Sequence, residues 1–172
     1  MTETTATVRI YPSTPLQGIV YPPSSKYHTL LSIVAALLAT GPSVIRGPAE
    51  SDDTDVLVNA CRQLGGSLHY SETPLRAGEP QTLLVHGTGG RIQSPRNGVL
   101  DVGNAGAVLR LLLGICALSP APITLTTPYL ESLGRRPNAD LLQALTQLGA
   151  TVECASPEGR LPIRIQRGSL RG

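Results

Sequence analysis

LVNACRQLGGSLHY (residues 57–70) matches LLQALTQLGATVEC (residues 141–154), with Leu, Ala, Gln, Leu and Gly shared in register. Each copy has apolar residues at helical spacing, then a glycine, then a short alternating segment, which predicts a helix followed by a strand. Upstream, VAALLATGPSVI (residues 34–45) parallels GICALSPAPITL (residues 114–125). The sequence therefore predicts two copies of one unit that pack against each other. A coincidental similarity of two helix–glycine–strand segments is the alternative.

Short predicted strands alternate with longer predicted helices along the chain. The predicted helices are residues 26–40, 51–64, 105–118 and 138–148. The predicted strands are residues 6–11, 18–21, 43–45, 67–70, 82–86, 99–102, 123–126, 151–154 and 162–166. This order indicates an α/β protein built from a strand–helix–strand–helix–strand–strand unit.

The composition excludes several classes of protein. Of 172 residues, 41% are hydrophobic and 15% are charged, which is typical of a globular protein and argues against disorder. A net charge of +2 and an aromatic content of 3% argue against a nucleic-acid partner. The longest apolar stretch, residues 30–39, is far shorter than the ~20 residues that cross a bilayer, so we expect no membrane span. The N-terminus has no signal-peptide pattern.

The cysteines and histidines indicate neither a disulfide framework nor a metal site. Cys61, Cys116 and Cys154 are odd in number and lack CxxC spacing, which favours three reduced thiols in a cytoplasmic protein. The three histidines are scattered, without the spacing of metal ligands. We therefore expect no bound metal.

The first candidate site is Ser25 and Lys26, at the entry to the predicted helix of residues 26–40. Backbone N–H groups at a helix N-terminus, a hydroxyl and an ammonium together suit a phosphate or a carboxylate. A serine that only caps the helix is the alternative. Asp52, Asp53 and Asp55 begin the next helix and are interpreted as helix-start and surface charges, not as a catalytic carboxylate pair.

The second candidate site is GNAGAVLR (residues 103–110), where a predicted strand turns into a helix. Asn104 can donate and accept hydrogen bonds, and Gly106 lets an anion approach the backbone. Arg110 follows about one turn later among leucines, where a buried charge needs either a structural partner or a ligand. The residues alone leave these two alternatives equal.

The third candidate site is Arg136, in the segment RRPN (residues 135–138) before the last predicted helix. Its guanidinium group can make a forked contact with a carboxylate or a phosphate. A solvated pair of arginines is the alternative. All three candidates thus place donors of hydrogen bonds, and two of them a cation, just before a helix.

The segments SSK, ESDDT, LDVGNAGAVLR and RRPNADLLQALTQLGA, in this order and spacing, resemble the motifs of the 5-enolpyruvylshikimate-3-phosphate synthase family. The resemblance extends from about residue 6 to the end, and the pairing of GNAG and arginine with RRP is its most specific part. The enolpyruvyl transferase that acts on UDP-N-acetylglucosamine shares the fold and is an alternative relative, although its motifs are less similar.

The resemblance implies an α/β fold of repeated βαβαββ units, in which three units form one lobe of an inside-out α/β barrel. We expect this chain to contain two units of one lobe. Residues 1–21 would be N-terminal crossing strands, residues 22–90 the first unit and residues 91–172 the second. The third unit and the whole second lobe would then lie outside these 172 residues.

The resemblance also implies a reaction in aromatic amino acid biosynthesis. The enolpyruvyl group of phosphoenolpyruvate would pass to the 5-hydroxyl of shikimate 3-phosphate with loss of phosphate, without a cofactor or a metal. By position, Lys26 is expected to contact both substrates and Arg136 to bind the phosphate or carboxylate of phosphoenolpyruvate. Asn104 and Gly106 are expected to line the phosphoenolpyruvate side, and Arg110 to brace the glycine turn.

The sequence departs from the family pattern near the first and second candidate sites. Tyr27 and Leu31 replace the serine and the arginine that hold shikimate 3-phosphate, whereas Thr29 retains a supporting hydroxyl. Ala107 and Leu111 replace a threonine and a proline after the glycine motif. Loss of an arginine that pairs with an anionic substrate weakens binding. We therefore expect altered or weak binding of shikimate 3-phosphate.

No acid–base pair is evident in the sequence, and the resemblance places these groups in the second lobe. We therefore expect weak substrate binding and no turnover from this chain alone. A complementary C-terminal lobe or self-association is expected to cover apolar surface. The rival hypothesis is a non-enzymatic lobe that binds a small anion or a protein partner.

Overall fold

The computed structural model describes residues 7–12, 15, 17–19, 22–71 and 81–169. Its helices are α1 (Lys26–Leu38), α2 (Asp52–Gln63), α3 (Gly106–Cys116) and α4 (Ala139–Gln147), with a 3-10 turn at Leu133–Arg135. Its strands are β1 (Pro42–Arg46), β2 (Ser67–Tyr70), β3 (Thr82–His86), β4 (Val99–Asp101), β5 (Ile123–Thr126), β6 (Thr151–Cys154) and β7 (Ile163–Gln166). From residue 22 onward, the predicted order of helices and strands is confirmed.

The strands form two sheets with a common arrangement. In the first sheet, β3 lies between β1 and β2 and runs antiparallel to both. In the second sheet, β7 lies between β5 and β6, antiparallel to both, and β4 is added parallel to β5. The matching sequences 57–70 and 141–154 fall on the end of α2 with β2 and on α4 with β6, which occupy equivalent places in the two sheets.

The start and the end of α2 follow from its sequence. The Ser51 hydroxyl oxygen accepts a hydrogen bond from the Thr54 N–H at 3.3 Å, and three aspartates lie in the first turn, where the helix dipole favours negative charge. Gly65 then adopts a φ of +103°, which terminates the helix and which other residues rarely adopt. Ser51 therefore caps α2, and the three aspartates have the helix-start positions that were predicted for them.

One apolar core joins the helices to both sheets, and α2 packs against α1, α3 and β4. The fully buried side chains of this core include Leu30, Leu57, Leu68, Leu109 and Ile123. Cys61 and Cys116 are buried in this core, and burial raises the pKa of each thiol to about 12. In the described ranges, no helix combines the length and the apolar character needed to cross a bilayer.

The predicted strand at residues 6–11 is not formed by the residues that the structure describes. Residues 7–12 form no strand, and Val8 and Ile10 are 82% and 91% exposed. An extended segment becomes a strand only when a neighbour pairs its backbone groups, and no described segment does so here. Of the predicted strand 18–21, residues 18 and 19 form no strand, while residues 20 and 21, like residue 6, lie outside the described residues. The crossing role of residues 1–21 and the unit boundaries stay predictions.

Candidate functional site

The N-terminal halves of α1, α3 and α4 meet around a common cavity of about 390 Å³, named here the α1/α3 cavity. Its lining residues are Tyr27, Leu30, Leu31, Ala107, Arg110, Leu111 and Leu141. Arg110 and Leu141 also line a second cavity of about 580 Å³ at the start of α4. Segments that are far apart in the sequence, each predicted to carry part of a site, therefore lie together in the fold.

At the start of α1, Lys26 forms an ion pair with an aspartate of α2. Lys26 Nζ lies 3.0 Å from Asp53 Oδ2, and the hydrogen bond with this carboxylate raises the pKa of Lys26 above its ordinary value. The Lys26 side chain remains 44% exposed. Ser25 caps the helix, since its hydroxyl oxygen accepts a hydrogen bond from the His28 N–H at 3.4 Å. The interpretation of Asp53 as only a helix-start and surface charge is incomplete, because it missed this ion pair with Lys26. The run of aspartates at the start of α2 was the sequence feature that could have indicated the pair.

Thr29 supports this part of the site from inside the protein. Its side chain is 5% exposed, and its hydroxyl oxygen accepts a hydrogen bond from the Ala49 N–H at 2.9 Å. This bond ties α1 to the segment that leads into α2, and α2 carries the aspartate paired with Lys26. Thr29 therefore helps to position the start of α2, and with it Asp53, relative to α1.

Two glycines lie in the turn between β4 and α3, for different reasons. Gly103 has a φ of +55°, which favours a residue without a side chain. Gly106 begins α3, and a Cβ atom there would lie 2.6 Å from Arg136 Nη1 and 3.5 Å from Arg110 Nη1. Asn104 lies between the two glycines and is exposed. The turn thus leaves space for two guanidinium groups.

Among the described residues, no carboxylate lies within 4.0 Å of either guanidinium group at Gly106. Arg110 Nη1 donates a hydrogen bond to the Gly106 carbonyl oxygen at 3.3 Å. Arg110 is exposed, so the expectation of a buried charge is wrong, because the neighbouring leucines occupy the core face of α3. Two cations that lie near one point repel each other, and an anion between them removes that repulsion.

Asn138 fixes the backbone that carries Arg136. The Asn138 side chain is 5% exposed, and its Nδ2 donates a hydrogen bond to the Arg136 carbonyl oxygen at 3.0 Å. The adjacent Arg135 instead pairs with Glu131 on the surface. Both arginines are exposed, as the alternative of a solvated pair predicts, but the guanidinium group of Arg136 also reaches Gly106. The position of Asn138 directly before α4 was the sequence feature that could have indicated this positioning role.

The family model for EPSP synthase (3-phosphoshikimate 1-carboxyvinyltransferase) matches residues 10–172. The chain belongs to the EPSP synthase family. It is 38% identical over 166 residues to the 3-phosphoshikimate 1-carboxyvinyltransferase of Deinococcus radiodurans and 36% identical over 154 residues to that of Methanosphaera stadtmanae. These matches cover 96% and 89% of this chain but 34% of each relative. This EPSP synthase family member therefore spans about a third of the length of the curated relatives it matches.

A solved EPSP synthase from Acinetobacter baumannii has a similar fold. It matches with a TM-score of 0.74 and 28% identity, over 87% of this chain and 32% of that chain. The predicted α/β class and the predicted family are confirmed, and EPSP synthase is favoured over the alternative enolpyruvyl transferase. Among the described residues, no group of three or more histidine, cysteine, aspartate or glutamate side chains could hold a metal ion.

Proposed function

We propose that this chain forms part of the substrate-binding surface of an EPSP synthase, which transfers the enolpyruvyl group of phosphoenolpyruvate to shikimate 3-phosphate. The observation that carries the proposal is the approach of Arg110 and Arg136 to Gly106, at the start of a helix, without a carboxylate partner in the described ranges. Both substrates bear phosphate and carboxylate groups. Guanidinium groups and helix N-termini bind such anions through charge-assisted hydrogen bonds.

The polar groups of the site have separate parts in this proposal. Arg136 binds the phosphate or the carboxylate of phosphoenolpyruvate in front of Gly106, and Asn104 donates to the same substrate. Lys26 contacts both substrates, and Asp53 holds its ammonium group in place. These groups stabilise the negative charge that develops while the tetrahedral intermediate forms and phosphate leaves.

The proton transfers of the reaction require further groups. We propose that the acid and the base lie in a second lobe, on a longer parent chain or on a separate one, that closes over this surface. The chain alone then binds substrates weakly and does not turn them over. The three free thiols, two of them buried, favour a reducing compartment, and we propose the cytoplasm.

A second candidate function is anion binding without catalysis. Tyr27 and Leu31 favour it, because they stand where the family pattern has a serine and an arginine for shikimate 3-phosphate. They are 65% and 53% exposed and line the α1/α3 cavity. An apolar side chain cannot replace a charge-assisted hydrogen bond to a phosphate. Under this alternative, phosphate compounds bind but a second lobe does not produce turnover.

Titration with phosphoenolpyruvate tests the site. Arg136→Gln should weaken binding roughly ten- to hundredfold, because it removes charge-assisted hydrogen bonds. Arg135→Gln is the matched control, since it removes the adjacent arginine that pairs with Glu131, and it should bind like the wild type. Equal affinities of the two variants would contradict the proposed role of Arg136.

Phosphate release from phosphoenolpyruvate and shikimate 3-phosphate tests the reaction. The chain alone should give no release above the background, and addition of the remaining two thirds of an EPSP synthase should start it. Release by the chain alone at ordinary enzyme rates would contradict the need for a second lobe. Anion binding without release in the combined sample would favour the non-enzymatic candidate.

A further inference from the structure

The α1/α3 cavity has the size and the character of a site for a small molecule. Its volume of about 390 Å³ lies within the range of ligand sites, about 300–1,000 Å³. Six of its seven lining residues are leucine, alanine or tyrosine, and the seventh is Arg110. Such a wall offers few hydrogen-bond partners, so it favours an apolar group over a ring that carries several hydroxyls.

The apolar wall is open to solvent on the side of α1. Among its lining residues, Leu30 is fully buried, whereas Tyr27 and Leu31 are 65% and 53% exposed. A ligand that covers these side chains removes apolar surface from water, which stabilises the complex by about 25 cal/mol per Å².

Arg110 connects the apolar cavity to the anion site at Gly106. This arginine lines the cavity, and its Nη1 lies 3.5 Å from the position of a Cβ atom on Gly106. Arg136 Nη1 lies 2.6 Å from the same position. The apolar cavity therefore adjoins, through the Arg110 side chain, a site for one anionic group at Gly106.

We propose that the α1/α3 cavity binds an organic anion with an apolar ring, of the class of aryl phosphates and aryl carboxylates. The anionic group lies between Arg110 and Arg136, and the ring packs against Tyr27 and Leu31. This inference rests on the anion site of the proposed function but not on the proposed reaction. It assigns the apolar residues on α1 to the recognition of a ligand less polar than shikimate 3-phosphate.

Calorimetric titrations of the whole chain with phenyl phosphate and with inorganic phosphate test the inference. Phenyl phosphate should bind at least about tenfold more tightly, because its ring is covered by the apolar wall. Leu31→Ser should remove this difference, and Leu148→Ser should keep it, since Leu148 is similarly exposed, at 52%, and lies outside the cavity. Tyr27→Ser and the control Tyr129→Ser form a second pair, and thermal unfolding verifies that each variant is folded.

Each outcome separates this inference from the function on which it rests. If phosphate and phenyl phosphate both fail to bind, the anion site and the inference are refuted together. If phosphate binds and the phenyl group adds nothing, or if Leu148→Ser loses as much as Leu31→Ser, the inference alone is refuted. A dimer in sedimentation that Leu31→Ser dissociates and phenyl phosphate leaves intact would also refute it, because a second copy would then cover the wall.

Discussion

Addition of one methyl group at Gly106 should weaken anion binding without unfolding the protein. In Gly106→Ala, the new Cβ atom would lie 2.6 Å from Arg136 Nη1, whereas ordinary van der Waals contact begins at 3.4 Å. The guanidinium group must therefore withdraw by about 0.8 Å, the difference between these two distances. The nearest atoms belong to the ends of two arginine side chains, so these side chains move and the helix stays in place.

The expected loss of affinity follows from this displacement. N–H···O hydrogen bonds span only about 2.7–3.2 Å, so a donor that withdraws by that amount loses its bond to a fixed anion. One hydrogen bond to a charged group contributes about 1.5–3 kcal/mol. Since each 1.4 kcal/mol is about tenfold in Kd, phosphate should bind roughly ten- to hundredfold more weakly.

Calorimetric titration with inorganic phosphate at low ionic strength measures this loss. Gly114→Ala is the control, because Gly114 lies on the same helix and a Cβ atom there would meet nothing within 4 Å. This variant should keep the wild-type affinity and should gain about 0.5–1 kcal/mol in the free energy of unfolding, since alanine favours a helix over glycine. Wild-type affinity in Gly106→Ala would refute the placement of the anion between the two arginines.

Three further predictions concern groups around the site and in the core. Asp53→Asn should lower the pKa of Lys26 toward its ordinary value, because the hydrogen bond and the charge of this carboxylate raise it, and NMR titration of the ammonium group measures the change. Thr29→Val should lower the free energy of unfolding by about 1–3 kcal/mol, because the buried Ala49 N–H loses its acceptor, whereas Thr29→Ser should keep most of it. At pH 8 a thiol reagent should modify Cys154 first, because burial raises the pKa of the other two thiols to about 12 and keeps them protonated.

Each of these three predictions has an outcome that contradicts it. An unchanged Lys26 pKa in Asp53→Asn would show that the ion pair does not form in solution. Equal losses in the two Thr29 variants would show that the hydroxyl is not what stabilises the segment. Rapid modification of all three thiols at pH 8 would refute their burial.

The burial of Cys61 and Cys116 also predicts how stability depends on pH. The unfolded thiols ionise near pH 9 and the folded buried ones only near pH 12, so the free energy of unfolding should fall as pH rises above about 9.

Local sequence patterns were sufficient for the order of elements from residue 22 onward. The apolar spacing of residues 57–64 and the two glycines that follow specify a helix, its end and the next strand by interactions between near neighbours. Helix ends were less accurate: the predicted helix 26–40 ends at Leu38, because the spacing of apolar residues does not locate the last hydrogen bond of a helix. The strand predicted at residues 6–11 shows the opposite limit, since residues 7–12 have no pairing neighbour among the described residues and form no strand.

The composition of the candidate site was also visible in the sequence, but its internal contacts were not. Cations and glycines before helices predicted an anion site from residues that are adjacent along the chain. The ion pair of Lys26 with Asp53 and the approach of Arg136 to Gly106 join residues that lie on different elements. Such contacts depend on how the helices pack on the two sheets and on which face each side chain occupies. A linear spacing encodes the local backbone, whereas distances between elements arise only when the whole core is packed.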